Sequence, residues 1–162
     1  MRHGSALLLM KTTVAAEWVD YNRHMNDAAY ALVFSRSGDV LMDRVGLDAK
    51  SRESTGRTLY TMQVMLHYFK EAKEGEAISV TGLLLEHDDK RMRVWLEMSN
   101  ASGDIIAASE QLYLSIQLGV DGARAAPFSF ETASALDALA RSQAGAPVSP
   151  LVGQGVTLKR KQ

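Results

Sequence analysis

Apolar and polar residues alternate with a period of two most clearly in the second half of the chain. In "RMRVWLEM", Met92, Val94, Leu96 and Met98 fall on one strand face, and Arg91, Arg93, Trp95 and Glu97 on the other. "IIAASEQLYLSIQL" repeats the pattern and predicts Ile106, Ala108, Leu112, Leu114, Ile116 and Leu118 on a shared face. Between these runs "NASGD" supplies hairpin-turn residues, and "EHDDKR" closes the preceding strand "AISVTGLLL" in the same way. "TLYTMQVMLHYF" alternates too, which groups Tyr60, Met62, Val64, Leu66 and Tyr68. With "LLLMKTTVAAEW" near the start, the pattern predicts five strands.

From Asn26 to Val45 the period changes. Tyr30, Val33, Phe34, Leu41 and Val45 recur at helical spacing, with Ala29 and Ser37 on the same stripe. Asn26 suits the N-cap, Asp27 the positive end of the dipole, Arg44 the last turn and Gly46 the C-terminal stop. A second, weaker helix is predicted from Ser129 to about Arg141. The expected fold is α+β: an antiparallel five-stranded sheet burying its apolar face around one long central helix. Residues 6–142 form this single domain, and 143–162, rich in Gly, Pro and Ser, read as a poorly ordered tail. "MRHGS" at 1–5 resembles a cloning remnant and is set aside. The sheet is expected to keep exposed edges and an outer face carrying Leu85, Trp95 and Tyr113, so pairing into a homodimer or homotetramer is the natural remedy.

Composition narrows the function. A hydrophobic fraction of 46% over 162 residues supports one sizeable core, and a net charge of -1 gives no footprint for nucleic acid or an anionic membrane. Without cysteine there is no disulfide framework, thiolate nucleophile or cysteine zinc site. The longest apolar run, "ALLLM", is too short to span a bilayer and lacks the features of an export signal, so the expected location is the cytoplasm. His3, His67 and His87 are too scattered to hold a metal, and "HDD" at His87 to Asp89 reads as a turn. No G-x-S-x-G elbow, P-loop or H-E-x-x-H occurs, and no cofactor or metal is expected.

The densest chemistry lies in "EWVDYNRHMNDAAY", Glu17 to Tyr30, between the first strand and the long helix. Free N–H groups at a helix N-terminus make a site for an anion or a developing oxyanion, and Asp20 lies just upstream. Acyl transfer needs that pair, a carboxylate as base or nucleophile and donors for a carbonyl oxygen. The catalytic candidates are therefore Asp20, His24, Asn26 and Asp27, although the same segment also reads as an ordinary cap (Asn26), a turn (Asp20) and a surface histidine (His24). Trp18, Tyr21, Tyr30 and Phe34 lie in or beside this loop, with Tyr60 and Tyr68 on a neighbouring strand. Tyr30 and Phe34 also fit the helix's core stripe, the ordinary place for aromatics at that spacing.

The order strand, "WVDYNRHMND", long helix and four further strands resembles the hotdog fold of the 4-hydroxybenzoyl-CoA thioesterase type. The resemblance runs from about Val14 to Phe128. It implies acyl-CoA hydrolysis, with Asp20 as the catalytic carboxylate and the backbone N–H of Asp27, or a neighbour in that turn, polarising the thioester carbonyl. "WVDYNRHMNDAAY", "DDKRMRVWLEM" and "AASEQLYLSI" are more closely similar to betainyl-CoA thioesterases of bacterial carnitine breakdown. That pattern has glycine where this chain has Arg23 and a bulkier residue at Ala29, and both positions border the expected pocket.

Glu110 interrupts the predicted apolar face of the last strand and is expected either to meet the site, as an anchor for His24 or a second acid–base group, or to be turned to solvent by a bulge. Lys70, Lys90, Arg91 and Arg93 are candidates for CoA phosphates, or plain solvated charges. The reading is a thioesterase acting on a small acyl-CoA. The alternatives are a hotdog (de)hydratase, for which Glu110 is the only hint, and a non-catalytic acyl-CoA-binding protein.

Overall fold

The structure, a computed structural model, describes residues 4–158. The first three positions of the set-aside "MRHGS" and residues 159–162 of the expected tail lie outside it.

Strand β1 (Leu7–Thr13) passes through a single 3-10 turn (Ala16–Trp18) and a polar loop into helix α1 (Asp27–Arg44). The Asn26 side chain caps α1 by accepting the Ala28 N–H at 2.9 Å, and Gly46 follows the helix with a left-handed φ of 81°. The apolar stripe of α1 is buried as Ala29, Tyr30, Val33, Phe34, Leu41 and Met42, with Ser37 and Gly38 among them. A short helix that the hydrophobic pattern did not signal, α2 (Ala49–Thr55), is capped by Asp48 and ended by left-handed Gly56. Strands β2 (Arg57–Tyr68), β3 (Ala77–His87), β4 (Arg91–Asn100) and β5 (Ile105–Gly119) follow, then a short β6 (Gly122–Ala125) and helix α3 (Phe130–Ser142) capped by Ser129.

All strand pairs are antiparallel, in the order β1-β3-β4-β5-β2. The expected five strands are present, and β6 adds a sixth that pairs with β5 beyond the end of β4. The sheet packs one face on α1, where Val80, Met92, Val94, Leu96 and Met98 are buried with Phe34 and Val33.

Two face assignments differ from the alternation pattern. In β5 the helix-facing row is Ser109, Gln111 and Tyr113, whereas Ala108 and Glu110 point to the outer face. The polar row is tolerated because it is satisfied internally. Gln111 Nε2 donates to Ser109 Oγ at 3.0 Å, and the Tyr113 hydroxyl donates to Gln111 Oε1. That hydroxyl sits against Gly38, where any Cβ would collide with it, and burial raises its pKa above the ordinary phenol value. In β2 a bulge between Thr61 and Gln63 breaks the run, so Tyr60 and Tyr68 lie on opposite faces.

The outer face is not bare. Trp95 is only 3% exposed and packs with Leu83, Leu85 and Ala108 beneath Ala146, Leu151 and Val152. The segment after α3, read from composition as loose, is seated on the sheet as far as it is described. Its anchor is Gln143, whose Oε1 accepts the Leu84 N–H and whose Nε2 donates to the Gly82 carbonyl, both at 2.8 Å. The ladder between β1 and β3 stops at Leu7 and Gly82, and the glutamine amide continues the pairing of β3 past that end. Farther along, the Gly153 N–H donates to Glu110 Oε2 at 2.7 Å.

Gln143→Ala leaves a buried donor and acceptor unpaired, so stability should fall by about 1–3 kcal/mol in urea unfolding. An unchanged midpoint would show that the segment lies on the sheet without holding it.

Candidate active site

The polar loop before α1 folds back on itself. Val19 and Met25 form an antiparallel bridge, the Asp20 N–H donates to the His24 carbonyl at 3.0 Å, and the Asn26 N–H donates to the Trp18 carbonyl at 2.8 Å. Asp20 Oδ1 accepts the N–H groups of Asn22 at 2.8 Å and His24 at 3.3 Å. Its Oδ2 accepts no hydrogen bond among the described residues, so one oxygen shapes the turn while the other is unclaimed. Arg23 completes the turn with φ 63°, the one left-handed non-glycine among the described residues. That conformation gives the glycine of the related pattern its physical reason.

The loop is fastened to the β2–β3 connection. Met25 N–H donates to the Ala72 carbonyl at 2.7 Å, and His24 bridges to Lys73 in the backbone. His24 Nε2 lies 3.3 Å from Glu71, and Arg23 lies 3.1 Å from Glu74. Glu71 and Glu74 carry no sequence signal that would single them out, because their partners lie some fifty positions away in the chain.

At the N-terminus of α1 opens a cleft of ≈ 280 Å³ lined by Met25, Asp27, Tyr30, Tyr68, Lys70 and Glu71, among others. Asn26 and Asp27 side chains both accept from the Ala28 N–H, but the Asp27 N–H itself donates to nothing among the described residues. It is an open amide at the positive end of an 18-residue helix. Tyr30 and Tyr68 meet edge to face, with centroids 5.5 Å apart and planes at 84°. The Tyr30 hydroxyl donates to the Lys70 carbonyl and the Tyr68 hydroxyl to the Asp27 carbonyl, each at 3.3 Å. Loss of water around the rings raises both phenols, and for Tyr68 the Asp27 carboxylate adds to the effect. Asp20 does not line this cleft; it stands at the neck of the loop that leads into it.

Several candidates lie elsewhere. Tyr21 is 94% exposed at the loop tip, and Phe34 is wholly buried in the core. Trp18 is half-buried with the Arg36 guanidinium 5.7 Å from its ring centroid, so that ring already has a cation. Glu110, expected at the site or in solvent, is at neither. It lies on the outer face, 2.7 Å from Arg93 Nη1 and bonded to Gly153. The inverted face of β5 is the reason. Arg93 spans Glu110 and Glu86, and Arg91 pairs with Asp88 in the β3–β4 turn, with Lys90 beside it. Lys70, at the cleft, is held 2.9 Å from Asp104. Arg91 and Arg93 line one cleft of ≈ 520 Å³ together with Glu86 and Asp88, Lys70 lies apart at the other cleft, and all but Lys90 already hold a carboxylate.

An antiparallel sheet packed on one long helix is the hotdog architecture, and the proteins this chain matches make it a thioester hydrolase. The chain belongs to the thioesterase-like superfamily, which it matches over residues 14–136. It is 40% identical to a betainyl-CoA thioesterase of Pseudomonas aeruginosa, over 94% of this chain and 95% of the relative. A solved structure from Pseudomonas putida KT2440, described as a candidate thioesterase, superposes with a TM-score of 0.81 at 36% identity, covering 96% and 98% of the two chains. A Staphylococcus aureus protein solved in complex with CoA shares the fold at 23% identity, with a TM-score of 0.87 over 98% of this chain and 100% of its own.

Asn26→Ala removes the α1 cap and should lower unfolding stability by about 0.5–2 kcal/mol. Full retention of stability would mean that Asp27, which shares the Ala28 N–H, caps the helix alone.

Proposed function

We propose that this thioester hydrolase cleaves small acyl-CoA thioesters to free acid and CoA, and that betainyl-CoA is its preferred substrate. The observation that carries the reading is the unclaimed Asp27 N–H at the head of α1, on a residue that lines the aromatic cleft. A thioester oxygen received there gains charge as the carbonyl carbon becomes tetrahedral, and the helix end stabilises that charge. Asp20, with its free Oδ2, takes a proton from water as the water oxygen bonds to the carbonyl carbon. Collapse of the tetrahedral species then breaks the C–S bond, and the CoA sulfur leaves with the proton returned through solvent or Asp20. Direct attack by the Asp20 carboxylate reaches the same products through an anhydride that water opens. His24 acts through the loop: its N–H holds Asp20 Oδ1 and its ring is tied to Glu71. The 40% identity to a betainyl-CoA thioesterase supports the choice of acyl group.

The proposed enzyme is a homodimer. β2 is a sheet edge, and Tyr60, Met62, Val64, Tyr68 and Phe69 on it or just past it are each about half exposed. An edge this long and apolar calls for a partner strand, and a second copy paired along β2 would bring the cleft to the seam. No helix among the described residues is long and apolar enough to cross a membrane, and CoA thioesters are cytoplasmic, where we place its action. With Glu110 turned to the other face, no observation favours a (de)hydratase.

Release of free thiol from betainyl-CoA, read beside enoyl-CoA hydration, tests the reaction class. Asp20→Asn keeps an acceptor for both loop N–H groups, so the melting temperature should hold while kcat falls about a hundredfold to ten-thousandfold. Near-normal turnover would remove Asp20 from the chemistry. Light scattering should give twice the 17.7 kDa chain mass, and Val64→Lys should shift it toward the monomer.

A further inference from the structure

We propose that Tyr68, backed by Tyr30, forms the subsite that recognises a quaternary ammonium in the acyl group and thereby determines specificity. This rests on the reading of the Asp27 amide as the carbonyl site. In a betainyl thioester the charged nitrogen is attached to the carbon next to the carbonyl. When the carbonyl oxygen is at the Asp27 N–H, the nitrogen must lie against whatever wall adjoins that amide. Tyr68 lines the same cleft as Asp27, its hydroxyl reaches the carbonyl of that residue at 3.3 Å, and it is half exposed. Tyr30, only 4% exposed, stands edge-on behind it and fixes its orientation.

The charges around the cleft have the right sign for a cation. Asp27 and Glu71 contribute carboxylates, while Lys70, the one cation lining it among the described residues, is drawn to Asp104 at 2.9 Å. A quaternary ammonium cannot donate hydrogen bonds, so a carboxylate alone recognises it poorly, whereas an aromatic face holds it through the ring quadrupole. Trp18, the strongest aromatic candidate by residue type, already lies under Arg36. Phenols are neutral at physiological pH, and burial raises these two further, so their rings keep an ordinary quadrupole.

The test compares betainyl-CoA with 3,3-dimethylbutyryl-CoA, which replaces the nitrogen by carbon and keeps the shape. The readout is the ratio of kcat/KM for the two, corrected for their hydrolysis by hydroxide without enzyme, so that general damage to the fold cancels. In the native enzyme the ratio should favour the charged substrate. Tyr68→Leu should cut it by about two- to thirtyfold, and Tyr68→Phe, which keeps the ring and loses only the bond to Asp27, should retain most of it. A native preference that survives Tyr68→Leu intact overturns the subsite and leaves the betaine reading standing. No native preference at all overturns both.

Discussion

Everything at the site depends on how closely α1 approaches the sheet, and that distance is set where Gly38 meets the hydroxyl of Tyr113. A residue with a Cβ there would push the helix away or evict the phenol. The hydroxyl in turn is fixed by Gln111, and Gln111 by Ser109, so a short polar chain inside an apolar layer defines the seat of the helix. Such a chain is costly unless complete, and completeness is what gives it directional value. With its middle seated, α1 begins beside the end of β2, where Tyr68 reaches the Asp27 carbonyl.

The loop before α1 is held from two sides. Its own hydrogen bonds close it between Trp18 and Asn26, and the 71–74 segment grips it through Glu71, Ala72, Lys73 and Glu74. The ion pairs are largely exposed and contribute little stability. Their effect is to reduce the number of arrangements open to a strained turn that contains Arg23 at positive φ. Within that frame one oxygen of the Asp20 carboxylate is committed to the turn and the other is left open.

The helix was legible because three signals coincided in Asn26, Arg44 and Gly46, with the apolar stripe between them. The loop was legible from the density of its polar residues. The faces of β5 were not, because both sides of this sheet are buried, one by α1 and the other by residues 143–158. When both faces are dry, polarity no longer separates inside from outside, and Ser109, Gln111 and Glu110 could each be assigned wrongly. A bulge has no composition signature either, and the one in β2 parted Tyr60 from Tyr68. The tail misled for a related reason. Gly, Pro and Ser describe a chain without regular structure, which Gln143, Leu151 and Val152 fasten down side chain by side chain.

That fastening has a consequence for biosynthesis. Every strand, and the polar loop before α1, leaves the ribosome ahead of residues 143–158. Until those residues arrive, Trp95 and its neighbours face water, and the β3 ladder is open at Gly82 and Leu84. The nascent sheet therefore passes through a stage with a sticky face and a free β2 edge together, a form suited to capture by a chaperone or by a second nascent chain. Release from that stage is timed by translation of the last segment to dock.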